Sequence, residues 1–222
     1  MDTIINKAVK NRQKCLSEYE SKQVLDSVGI KITQEKLVQT KEDALAAANE
    51  IGYPVVMKGC SHTLTHKTEM GMVKLGIIND ESMLKAYDEI TAVDIELDGV
   101  LIQEMVNGTR EFVIGLHRDP QFGPCVMFGL GGIFTEVLKD ATFRVAPLTE
   151  DDASEMIEEI KAKALLGSFR GDVAVDKEKL VKALVGIGEI GVAFSSVAEI
   201  DVNPLIISDG IPVAVDGLVV LG

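Results

Sequence analysis

Cysteine is scarce in this chain of 222 residues: there are three, Cys15, Cys60 and Cys125, with neither the pairing of a disulfide framework nor the spacing of a metal knuckle. A sparse, odd count belongs in a reducing compartment, so residence in the cytoplasm is expected. Long apolar runs are missing too. None approaches the roughly 18 residues that a membrane-crossing helix needs. The opening stretch MDTIINKAVKNRQK lacks the apolar stretch of a secretory leader. There is no internal repeat and no low-complexity linker. Positive charge is in deficit, 22 Lys+Arg against 35 Asp+Glu, for a net −13. That balance excludes a general affinity for nucleic-acid backbones or anionic membranes. An anionic ligand would need cations concentrated locally, or a metal ion.

What remains describes a folded enzyme-sized chain. Hydrophobic residues make up 46% and charged residues 26%, a globular composition. In the first half, LSEYESKQVLDSVGI has helical apolar spacing, with Ser17 as a candidate cap and Gly29 as a stop. KLVQT reads as a strand, and KEDALAAANEIG as a helix between Thr40 and Gly52. YPVVMK and MVKLGI read as strands, and DESMLKAYDEITAV as an amphipathic helix capped by Asp80. From Val100 the pattern changes to an antiparallel meander: GVLIQEMV, REFVIGLHRD and CVMFGLGG, with turns at NGT and PQFGP. TEDDASEMIEEIKAKALL and DKEKLVKALVGIGEIGVAF read as helices. VAEIDVNPLIIS, a turn at Asp209-Gly210, and IPVAVDGLVVL form a closing hairpin. The two halves, 1–99 and 100–222, meet near residues 99–107, as two α+β lobes with a ligand cleft between them.

Four motifs carry chemistry. Lys58 ends an apolar strand, where an ammonium either snorkels to solvent or reaches a phosphate as a point charge. FGLGGIFTE sets Gly129, Gly131 and Gly132 close together, as a plain turn or as backbone that approaches an anion. It is neither a P-loop nor a dinucleotide fingerprint. In EIDVNP the period of two puts Glu199, Asp201 and Asn203 on one strand face, with Asp216 on the partner strand. Such oxygen donors suit Mg²⁺, and the alternative is a solvated polar face. His62 and His66 are too poorly supported by helix formers, and lack a third ligand, to make a zinc site. A neutral loop imidazole is better suited to attack or to carry a phosphoryl group.

Taken together, SEYESKQVLDSVGI, GYPVVMK, HKTEMGMV, the long stretch REFVIGLHRDPQFGPCVMFGLGGIFTEVLKDATFRVAPL, and EIDVNPL with VAVDG resemble an ATP-grasp domain. More narrowly they resemble the β subunits of ADP-forming acetate–CoA ligases, in family order from about Leu16 to Leu221. The resemblance implies an ATP-grasp fold of two α/β lobes with the nucleotide cleft between them. It implies formation of an acid, CoA and ATP from acyl-CoA, ADP and phosphate, with the phosphoryl group travelling on histidine. It implies that Lys58, Arg110, Gly131 and Gly132 serve the nucleotide phosphates, and that Glu104, Met105 and Val106 line the adenine pocket. Asn203 and Asp216 would hold Mg²⁺, Asp201 would stabilise a phosphohistidine, and His66 would be a second phosphate carrier, its charge offset by Lys67 or the Mg²⁺. Arg144 would add to the local positive charge. Gly71-Met72 departs from a family Gly-Gly, which bears on how closely that turn approaches phosphate. The CoA-binding and primary-phosphohistidine domains do not fit in this length, so a CoA-binding α subunit in an α2β2 heteromer is expected. The alternatives are a succinate–CoA ligase β subunit, which lacks the HKT histidine, and a non-catalytic nucleotide-sensing module.

Overall fold

Local capping sets the first elements. Thr40 accepts the Asp43 amide at 3.1 Å and starts α3 (Lys41–Ile51), and Gly52, at φ +93°, ends it in a conformation that a side chain would strain. Around α3 the chain adds β1 (Glu35–Val38), β2 (Val55–Cys60), β3 (Val73–Ile77), α4 (Asp80–Thr91) and β4 (Gly99–Glu104). These strands form an antiparallel sheet in the order β1-β4-β2-β3. Helices α3 and α4 bury Ala44, Ala48, Met83 and Ile90 against Met57, Met72 and Ile102. The cap of α4 is Asn79, not the expected Asp80. Asn79 and Ser82 close a reciprocal capping box, while Asp80 accepts the Tyr53 hydroxyl at 2.8 Å. The computed structural model describes every residue except 64–66, 68–69, 133–139 and 169–170.

The second sheet has the order β10-β8-β5-β6-β7, with β9 also on β8. Its strands are β5 (Glu111–Asp119), β6 (Gly123–Leu130), β7 (Ala141–Val145), β8 (Val197–Ser208), β9 (Ile211–Ala214) and β10 (Leu218–Leu221). Helices α5 (Glu150–Glu159) and α6 (Lys177–Ala193) complete it, with α6 lying on the face that presents Leu116 and Val126. Phe112 and Phe128 stack there with ring centroids 5.5 Å apart. The expected single helix over 149–166 is interrupted. Ile160 is extended (ψ 141°), and the chain restarts as a 3-10 segment, Lys161–Leu166, because the Asp140 carboxylate accepts the Lys161 and Ala162 amides at 2.8 and 2.7 Å.

The division into compact units differs from the expected 1–99 and 100–222. One unit holds Leu16–Tyr19 and Thr33–Met105, and the other holds Met1–Cys15, Glu20–Ile32 and Val106–Gly222. The reason is pairing: β4 is an interior strand of the first sheet, so the boundary falls after it. Helix α1 (Asp2–Lys10) belongs to the second unit, as does most of α2 (Glu18–Asp26), through the Ser21 hydroxyl, which accepts the Val219 amide.

Candidate functional site

In the unit of the first sheet, Lys58 lies in β2 between partners on β4 and β3. Its ammonium is buried and donates to Glu18 Oε1 at 2.7 Å. Lys67 donates to the other oxygen of the same carboxylate. The Cys60 thiol sits in the same field: burial pushes its pKa up, Glu18 adds to that, and Lys67 opposes it. Sequence reasoning had no role for Glu18. Glu18 and Lys22 stand at i and i+4 of one helix. Both are buried: Glu18 accepts from Lys58, and Lys22 donates to the Val215 carbonyl.

The loop after β2 carries both candidate histidines. His62 is tied to Asp98 through its amide at 2.8 Å and its Nδ1 at 3.1 Å. His66, the expected carrier, lies outside the described residues. The Gly71-Met72 departure is absorbed by the core. Gly71 takes φ +69°, Met72 is fully buried, and its side chain lies over Gly59, where a Cβ would come within 2.3 Å of the Met72 Cε. At the end of β4, Glu104 is anchored to Gln34, accepting the Gln34 amide at Oε1 (2.8 Å) and donating its own amide to the Gln34 carbonyl (2.9 Å). Met105 follows with an exposed side chain.

In the other unit, β8 alternates from Glu199 to Asn203. Ile200 and Val202 are buried, while Glu199, Asp201 and Asn203 face outward, as the period of two requires. Register fixes their neighbours on that face. Asp201 lies between Leu218 and Gly115, and Glu199 lies between Val220 and His117. Gly115 has no side chain to cover Asp201, and a Cβ there would come within 2.6 Å of the Ile200 carbonyl oxygen. The expected second arm of the hairpin is not continuous. Asp216 sits in a bend between β9 and β10, where its Oδ1 accepts the Gly217 amide at 2.8 Å. The pairs Leu205–Ala214 and Asp201–Leu218 nevertheless belong to one register, which sets Asp216 opposite Asn203. The fully buried Lys22 donates to the Val215 carbonyl at 3.4 Å and so supports that bend.

Crowding by surrounding protein, then the charges of Glu199 and Asp216, push the Asp201 carboxyl up to about 6, although its side chain still touches solvent. Negative charge is therefore concentrated on this face. Among the described residues, no three of His, Cys, Asp and Glu converge into a complete cation site. A hard cation that takes one or two carboxylates and an amide oxygen, and completes its shell with phosphate and water, fits this donor set.

The two arginines expected near phosphate are engaged otherwise. Arg110 is buried, and its guanidinium donates to the carbonyls of Leu165 (3.1 Å), Gly167 (3.1 Å) and Val173 (2.7 Å), so it ties these three residues together. Arg144 makes a two-pronged pair with Glu159 at 2.6 and 3.1 Å. The Gly131 amide donates to the Glu111 carbonyl at 2.9 Å, and a Cβ at Gly131 would collide with the Phe112 backbone at 2.6 Å. Gly132 follows at φ +67°. Val106 is half-buried at the start of the last segment of its unit.

A family model for the ATP-grasp domain matches residues 7–221. Over 224 aligned residues the chain is 44% identical to the beta subunit of acetate–CoA ligase [ADP-forming] I of Pyrococcus furiosus, covering 98% of this chain and 96% of that one. A structure of the dinucleotide-forming acetyl-coenzyme A synthetase 1 of Ca. Korarchaeum cryptofilum, with coenzyme A, Ca-AMPCP and HgCl⁺, matches with a TM-score of 0.94 at 43% identity, covering 100% of this chain and 99% of that chain. A second structure of that synthetase contains coenzyme A and Mg-AMPPCP, with its phosphohistidine segment pointing towards the nucleotide binding site. It matches with a TM-score of 0.87 at 43% identity over the same shares of the two chains. Among the described residues, no helix is long and apolar enough to cross a membrane.

Proposed function

The chain belongs to the ATP-grasp family, and from that premise we propose that it is the nucleotide-binding β subunit of an ADP-forming acyl-CoA synthetase. Together with a CoA-binding α subunit that carries the primary phosphohistidine, in an α2β2 heteromer, it converts acyl-CoA, ADP and phosphate to acid, CoA and ATP. The observation that carries this reading is the acidic row of β8, with Asp216 set opposite Asn203 and the Asp201 carboxyl raised to about 6.

Asn203 and Asp216 would hold Mg²⁺, which when bound neutralises nucleotide phosphate charge. The ionised Asp201 accepts the ring N–H of a phosphohistidine and so orients the phosphoryl group on the other nitrogen. Lys58 contributes a fixed ammonium to the phosphates, and Gly131 and Gly132 bring backbone close to them. Glu104, Met105 and Val106 line the adenine pocket. Arg110 and Arg144 are engaged within the protein, so Lys58 is the cation for the nucleotide phosphates, and Lys67 offsets the charge of a phosphorylated His66. Catalysis then rests on positioning and charge neutralisation. His66 receives the phosphoryl group from the α-subunit histidine and passes it to ADP.

The test loads the heteromer from acyl-CoA and labelled phosphate, then adds Mg-ADP. The chain alone should bind Mg-ADP without making ATP, and turnover without a partner would refute the heteromer. His66→Ala should block ATP formation and leave ADP binding nearly unchanged, whereas His62→Ala should be mild. Normal ATP formation by the His66→Ala complex would remove His66 from the route.

A further inference from the structure

Lys58 and Lys67 are both held by one carboxylate, that of Glu18. Lys58 comes from β2, a strand paired on both sides. Lys67 comes from the loop that follows, in which His66 precedes it. Both ammonium groups end on Glu18, one on each carboxylate oxygen. Glu18 is 2% exposed, Lys58 5% and Lys67 12%, so the contact is made away from bulk water. Screening is weak there, and an ion once paired is costly to release. Surface lysines keep most of their rotamer freedom, and these two do not.

The loop is also tied down by backbone at this point. The Met72 amide donates to the Lys67 carbonyl at 2.9 Å, and the Gly59 amide donates to the Met72 carbonyl at 2.9 Å. Glu18, held on α2, and Lys58, held in β2, are the fixed points. Lys67 is the residue that they bring into line.

We propose that Glu18 is a positioning residue that fixes the Lys58 ammonium for nucleotide phosphate and, through Lys67, anchors the loop that bears His66. The first half of this statement rests on Lys58 being a phosphate ligand; the second half does not. A carboxylate is required because a neutral amide of the same shape cannot offset two buried ammonium groups.

The experiment uses the full chain with Glu18→Gln, Glu18→Asp and Lys67→Met. Hydrogen exchange is read at the Met72 amide without nucleotide, and affinity is read with Mg-ADP. Glu18→Gln should speed Met72 exchange and raise the Mg-ADP dissociation constant, each by about tenfold. Glu18→Asp should recover part of both, and amides of β8 should be unchanged. Lys67→Met, which leaves Glu18 and Lys58 in place, should speed Met72 exchange, and it decides the anchoring half if Glu18→Gln does not fold. Unchanged Met72 exchange in the folded variants overturns the proposal. Faster Met72 exchange in a chain whose wild type does not bind Mg-ADP upholds the anchor and instead sinks the nucleotide-binding reading.

Discussion

Arg110 separates two physical accounts of one residue. As a phosphate ligand it should matter to affinity, and as an internal tie it should matter to stability. Its guanidinium reaches the carbonyls of Leu165, Gly167 and Val173 at 3.1, 3.1 and 2.7 Å. Hydrogen bonds from a charged donor are worth about 1.5–3 kcal/mol each. In Arg110→Lys one nitrogen replaces a rigid fork, so it can serve one of these carbonyls well and leaves two to water or unpaired. With water repaying part of the deficit, the expected loss is about 3 kcal/mol. For a chain of this size that is a fall in melting temperature of about 6–12 °C. Thermal melting followed by circular dichroism measures the loss. Hydrogen exchange at the Val175 amide, which donates to the Leu166 carbonyl at 2.8 Å, locates it. Mg-ADP affinity at 25 °C should stay within about twofold of wild type. An unchanged melting temperature together with an affinity lowered about tenfold would refute the reasoning and return Arg110 to the phosphate-binding set.

Asp140→Asn keeps one acceptor oxygen where the carboxylate uses two for the Lys161 and Ala162 amides, so it should cost about 1–2 kcal/mol, read from the shift in thermal melting. Asn203→Ala and Asp216→Ala should each raise the Mg²⁺ concentration needed for half-maximal activity of the heteromer without lowering the melting temperature; unchanged Mg²⁺ dependence in both would move the cation elsewhere. Asp201 predicts a pH effect in the metal-free, nucleotide-free chain. Its folded pKa is raised from 3.8 to about 6, so the folded state keeps a proton that the unfolded state has released. Stability from this group is therefore present below about pH 4 and lost as pH rises through about 6. Asp201→Asn should gain stability relative to wild type at pH 7.5 and less of it at pH 5, and a stability difference independent of pH would exclude the linkage.

Much of the fold is written in short-range pattern. Thr40 and Gly52 bracket α3 because a hydroxyl acceptor and a positive φ are local requirements. The turn at Asp209-Gly210, both at positive φ, closes β8 on β9 for the same reason. The alternation of Glu199, Asp201 and Asn203 against Ile200 and Val202 needs only the period of a strand, so the acidic row could be read before any partner strand was known. Lys58 at the end of an apolar run was equally visible as a residue, though not its counter-ion.

What sequence could not supply was the identity of distant partners. The residues of 149–166 are mostly good helix formers and include neither Gly nor Pro, yet Asp140 captures two amides and breaks the helix at Ile160. The stretch 211–221 looks like one strand, yet it bends at Val215–Gly217 and carries Asp216 out of the ladder while keeping its register. Glu18 and Lys22 share one helix and one sequence pattern, but Glu18 meets Lys58 and Lys67 while Lys22 meets Val215. Arg110 follows a turn, as a ligand might, and its guanidinium ends on three carbonyls some 55 to 63 residues further along the chain. Caps, turns and strand periods are decided by forces acting over a few residues, and so sequence alone determines them. A buried charge must instead find its partner wherever the packed chain places one, and only the tertiary structure decides which it is.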